Sequence, residues 1–128
     1  MSQQRRVLEA LHAIIDTLGA YAPVHMCAMP AADGIAMAVT AGREVTRTLA
    51  QERTITLDVT LNAKHSNQAA ALDALCRIHE ALAHLAALPS GEGWQVIDIR
   101  TGSAPACLGR EETQWLYGSA LAVTYTDV

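Results

Sequence analysis

Cys76 and His79 stand three residues apart in a segment of helical periodicity, near enough to share one metal ion. His84 lies five residues past His79, off the i,i+4 spacing that would aim both rings at that ion. No second Cys/His cluster completes four ligands, so Cys76 reads as a small residue beside the core face. Ser90, Ser103 and Ser119 lack the G-x-S-x-G elbow of a nucleophilic serine. No cysteine is paired with a histidine in a recognisable catalytic context. Gly91-Glu92-Gly93 comes after a helical pattern and before a strand, the reverse of the order that phosphate binding needs, and reads as a turn. Arg43, Arg47 and Arg53 gather around one hairpin, but Glu44, Glu52 and Asp58 interleave with them. That is a solvated mixed-charge hairpin rather than a nucleic-acid patch. In a ring of copies it could meet a neighbour by charge complementarity.

Composition narrows the class further. A chain of 128 residues supports one domain, 1–128, with one core. Hydrophobic residues make up 51% but aromatics only 4%, with no Phe, so a core of Ala, Leu, Ile and Val needs close helix-on-sheet packing. A formal charge of -4 argues against an electrostatic grip on nucleic acid. No apolar run approaches the ~20 residues of a membrane span. Residues 1–6 carry two arginines, yet polar residues interrupt the next segment at helical spacing, which predicts a helix and not a signal peptide. Cys27, Cys76 and Cys107 are odd in number and scattered, which fits reduced thiols in a cytoplasm and no disulfide framework.

Periodicity defines the helices and strands that carry these side chains. Ser66–Leu88 organises the chain as a two-sided helix. Leu72, Leu75, Ile78, Leu82 and Leu85 form one face. Asp73, Arg77, Glu80 and His84 form the other, as two i,i+4 pairs with the acid first. Ser66 or Asn67 supplies the N-cap, and Pro89 with Gly91 ends the run. A helix nearer the N-terminus is expected from a Ser2 cap to Leu18. Its stripe is Val7, Leu8, Leu11, Ile14, Ile15 and Leu18, with an Arg5–Glu9 pair on its polar side and Gly19 just past its end. Val24–Met29, between Pro23 and Pro30, is a short extended piece suited to a sheet edge.

Ile35–Thr40 alternates as a strand, Gly42 is expected to turn the chain, and Glu44–Leu49 reads as a second strand or hairpin arm. Arg53–Asn62 has period two without an error: Ile55, Leu57, Val59 and Leu61 on one face, polar residues on the other. Trp94–Thr101 is a strand, Gly102–Gln114 a loop, and Trp115–Tyr125 the last strand. Neither face of that last strand is strongly polar, so both are expected to be covered, one by another subunit. The order predicts an α+β fold: a largely antiparallel four- to five-stranded sheet with two helices packed on one face.

Three blocks of the second half carry a family resemblance. They are Lys64-His65-Ser66-Asn67-Gln68 before Ala71-Leu72-Asp73-Ala74-Leu75, then Leu88-Pro89-Ser90-Gly91-Glu92-Gly93-Trp94-Gln95, then Leu108-Gly109-Arg110-Glu111 followed by Gln114-Trp115-Leu116-Tyr117-Gly118-Ser119. In this order, from Ala63 onward, the chain resembles the minor capsid and tail-terminator proteins of long-tailed phages and prophages. The blocks cover about half the chain and consist of packing and turn residues. The resemblance implies a virion protein, assembled in the host cytoplasm, that closes as a hexameric ring on the head-proximal end of the tail tube. Such a ring stops tube polymerisation and meets the neck or head-completion proteins, while DNA passes through its channel without specific binding. It implies no catalysis and no cofactor.

A ring of this kind is expected to close by head-to-tail contacts, for which sheet edges are natural surfaces. The 43–54 hairpin, with Arg43, Arg47 and Arg53, and the last strand, with Trp115, Tyr117 and Tyr125, are the candidate subunit interface. For Trp115 and Tyr117 the alternative is packing under a helix. Segments 102–114 and 20–33 are candidate contacts with tail tube or neck. Competing readings are another neck-completion protein, a small α+β module that dimerises through its final strand, and an enzyme using Cys76 or Cys107.

Overall fold

The computed structural model describes residues 3–26, 33–47 and 52–127. Ser2, Cys27 and the outer end of the 43–54 hairpin lie outside the described residues.

Helix α1 (Gln4–Asp16) buries Val7, Leu11 and Ile15, four residues apart each time, and Leu8, Ile14 and Leu18 pack at the margin. Beyond its end Gly19 adopts φ 66, a left-handed conformation that costs glycine nothing. Arg5 and Glu9 pair at 2.8 Å.

Helix α2 (Gln68–Ala83) is shorter than its apolar run suggests. Asn67 caps it, its Oδ1 accepting from the Ala70 amide at 3.2 Å, and the helix stops at His84. The buried face holds Leu75, Ile78 and Leu82 but turns toward Ala71, Ala74 and His79, leaving Leu72 and Leu85 half-buried. Glu80 and His84 lie 3.0 Å apart as expected. Arg77 donates to the Leu18 carbonyl at 2.6 Å, rather than pairing with Asp73, and ties α2 to the end of α1.

Six strands form one mixed sheet in the order β1-β2-β3-β6-β5-β4. They are β1 (Val24–Met26), β2 (Gly34–Arg47), β3 (Arg53–His65), β4 (Ser90–Gly91), β5 (Trp94–Glu111) and β6 (Gln114–Asp127). The α+β class holds, with a sheet larger than four or five strands and not wholly antiparallel, because the short edge strand β1 runs parallel to β2. Both helices join one core cluster with Ile35, Met37, Leu57, Val59, Leu61, Ala63, Val96, Leu121, Val123 and Tyr125. The alternation read in 53–62 is thus the core face of β3, continued through Ala63.

Two expected irregular stretches are strand interiors. β2 runs straight through Gly42, which lies opposite Leu57; a Cβ there would stand 3.0 Å from Leu57 Cδ2. Glycine at that position makes room for a side chain and does not reverse the chain. Likewise 102–111 is not a loop but the distal part of β5, paired with β6 up to Glu111 opposite Gln114. Four register shifts along this pair break the period-two pattern, and Pro105 sits inside one of them. The reversal is made by Glu112-Thr113, with Glu112 at φ 55.

Candidate assembly surface

The ends of the sheet are tied by polar contacts within the chain. Asp33, which the sequence marks only as a turn residue, accepts from the Ser66 amide at 3.1 Å and the Gln114 side chain at 2.6 Å. Its other carboxylate oxygen lies 3.4 Å from His65 Nε2. His65 Nδ1 accepts from the Asn67 amide at 2.8 Å, which places the ring proton on Nε2, facing Asp33. The Tyr21 hydroxyl meets the Gly34 and Lys64 carbonyls at 3.0 and 2.9 Å as their donor, and its ring meets His65 edge-on at 4.7 Å. Burial pushes the Tyr21 pKa up to about 12. The Lys64–Gln68 block is therefore the junction that turns β3 into α2, stapled to the starts of β2 and β6.

His79 is 2% exposed on the core side of α2. Its Nδ1 lies 2.9 Å from Ser119 Oγ and its Nε2 3.0 Å from Thr101 Oγ1. A neutral imidazole satisfies both hydroxyls, one nitrogen donating and the other accepting. Burial lowers its pKa, against a smaller opposing pull from Glu80. The imidazole is thus a bridge from α2 to β6 and β5. Cys76 is half-buried nearby; burial first, then Asp73 and Glu80, raises its thiol pKa. Cys107 is exposed on β5. Among the described residues, no group of three or more His, Cys, Asp or Glu side chains could hold a metal ion. Among them, too, no helix is long and apolar enough to cross a membrane.

The expected interface residues separate into two groups. Tyr117 and Tyr125 are 5% and 1% exposed, so their side chains belong to the core cluster and not to the surface of the chain. Both follow from the alternation of β6, whose odd-numbered face is the core face. Trp115 is half-buried on the same strand, with the Arg110 guanidinium 5.4 Å from its ring. Arg53 stands opposite Asp127 and donates to its carboxylate at 2.5 Å, an internal bond rather than a surface one. Arg43 and Arg47 remain on the surface, paired with Asp58 at 3.5 Å and Glu44 at 3.1 Å.

What the sheet leaves open is its edges. Among the described residues, β1 pairs only with 35–37 of β2, and on β5 only Trp94 and Gln95 pair with β4, with the Val96 amide donating to the Pro89 carbonyl at 3.0 Å. Residues 40–47 of β2 are all exposed. On the other side, Ile97 and Leu108 are 46% and 60% exposed along β5. The sheet thus has two long edges, on opposite sides, whose backbone donors and acceptors have no strand beside them among the described residues. The face away from the helices carries mostly small and polar side chains around Leu108. A cavity of about 430 Å³ lies there among Thr40, Thr60, Asn62, Ser103, Leu108 and Ala120. Compared with known proteins, the chain matches no family model and no curated protein.

Proposed function

We propose that this chain is a structural virion protein of a long-tailed phage or prophage. It acts as a tail terminator that assembles as a hexameric ring on the head-proximal end of the tail tube and joins tail to neck. The observation that carries the reading is the sheet open along both β2 and β5. A subunit with two different open edges suits heterologous contact, which closes into a ring when each edge meets the other kind. The three sequence blocks that resemble the family support it, since each falls on a skeleton position: the β3–α2 junction, the β4–β5 turn, and the β5–β6 hairpin with the start of β6. The reading assigns no reaction and no cofactor to the chain; its partners are itself, the tail-tube protein and a neck or head-completion protein.

The test is light scattering across a concentration series, followed by incubation with purified tail tubes. A species near six times 13.6 kDa that caps one tube end supports the proposal. A stable two-fold dimer that ignores tubes replaces it with the dimerising binding module.

A further inference from the structure

We propose that copies of this chain join by sheet extension, the outer edge of β2 in one copy pairing with the outer edge of β5 in the next, and Arg43 meeting Asp98 across the joint. This deepens the ring reading and rests on it.

Strand polarity permits the joint. β2, β3, β6 and β5 alternate in direction, so a neighbour's β2 laid beside β5 is antiparallel to it and continues the alternation. Bulges select where the pairing can form. Along β2 the register shifts between Val39 and Ala41 and again between Glu44 and Thr46, leaving Ala41–Glu44 as a regular run. Along β5 it shifts between Val96 and Asp98 and between Thr101 and Ser103, leaving Asp98–Thr101. Bulged stretches resist strand addition, whereas regular runs accept it.

The two runs also lie level in the sheet. Arg43 is opposite Thr56, Thr56 opposite Thr124, and Thr124 opposite Asp98. Ala41 reaches Arg100 in the same way through Asp58 and Ala122. A closed ring is generated by pure rotation, with no translation along its axis. The proposal sets the strands along that axis, without the stagger of a tilted barrel, so that residues level on the two edges meet: Arg43 of one copy faces Asp98 of the next, and the small Ala41 leaves room for Arg100. Directly opposite residues share a face of the sheet, so both charges stand on the face away from the helices. Their present partners are exposed, Arg43 with Asp58 at 3.5 Å and Asp98 with Arg100 at 2.6 Å, and such pairs cost little to share. A two-fold dimer would cover only one kind of edge and leave the other open. Head-to-tail order covers both.

Charge reversal tests the joint. Arg43→Glu and Asp98→Arg are each made, with circular dichroism to check folding, and mass is followed by light scattering. Each single variant should raise the concentration for half-assembly about tenfold or more, since like charges now face each other. An equimolar mixture of the two should assemble again as an alternating ring, and the double variant should assemble alone. Single variants that assemble like the parent overturn the joint, as do folded single variants that neither mixing nor the double change rescues. A parent chain that stays monomeric at every concentration also overturns it. The terminator reading is judged separately, by tail-tube capping. A monomer that caps tubes keeps that reading without the joint, and a rescued ring that ignores tubes keeps the joint without that reading.

Discussion

Arg53 and Asp127 stand directly opposite each other on β3 and β6, with the guanidinium 2.5 Å from a carboxylate that is 6% exposed. The bond closes the core face at the end of the sheet, next to Tyr125. Removing Arg53 strands a buried acid, so Arg53→Ala should cost ~1.5–3 kcal/mol, the range for a hydrogen bond to a charged group. Arg47→Ala, which removes a pair exposed on both sides, should cost ~0–1 kcal/mol. Urea unfolding of both variants checks the contrast. Equal small losses would mean that the Arg53 bond does not hold the sheet end.

His79 makes the fold sensitive to acid. Its folded pKa is lowered by burial, whereas an unfolded histidine titrates near ~6.5. Below that value the unfolded chain binds a proton that the folded chain resists, so stability is full above it and is lost as pH falls toward the folded value. The groups facing the ring are Ser119 and Thr101 across the core and Glu80 and His84 on its own helix. His79→Gln should lower stability at neutral pH, by leaving a hydroxyl less well bonded, and flatten the profile below the ordinary histidine value of about 6.5. Unfolding midpoints at three pH values measure it.

Tyr21 works in the opposite direction. Its hydroxyl is held neutral up to about 12 by burial, while an unfolded tyrosine ionises near ~10. Its contribution is therefore full below the unfolded value and is lost as pH rises through the folded one. Tyr21→Phe should remove that alkaline sensitivity while also losing the bonds to the Gly34 and Lys64 carbonyls. Absorbance titration of the phenolates in parent and variant, with melting curves near about pH 8 and 10.5, tests both.

How much of the fold is legible in the sequence depends on whether period or partner carries the information. The core face of β3, the stripe of α1, the Arg5–Glu9 pair and the left-handed Gly19 are all readable, because each follows from local spacing. The distal part of β5 is not, because four register shifts erase its alternation and only the pairing with β6 makes it a strand. Gly42 misleads for a related reason, since the need for glycine comes from Leu57 on the next strand. On the assembly surface, Arg43 is readable as an exposed charge. The importance of Asp98 is not, because its level with Arg43 exists only through two intervening strands. Tyr117 and Tyr125 suggest an interface by residue type alone, but the parity of β6 puts them in the core.

Gly91 offers a stringent test of packing. It sits in the two-residue strand β4 beside Trp94, and a Cβ there would collide with the indole Nε1 and fall 2.5 Å from Cε2. Trp94 is 7% exposed and rigid, so it cannot swing away as a long aliphatic chain would. Gly118 makes the contrast: its Cβ would meet the Leu108 Cδ1 at 2.6 Å and the Asn62 Oδ1 at 2.8 Å, but Leu108 is mostly exposed and can move. Gly91→Ala should therefore cost ~1–3 kcal/mol by overpacking and shift the tryptophan emission as the indole is displaced. Gly118→Ala should cost less and leave the emission alone. The reverse order of losses would mean that the β4–β5 turn yields more readily than the outer face of the sheet, and that the indole is not what fixes glycine at position 91.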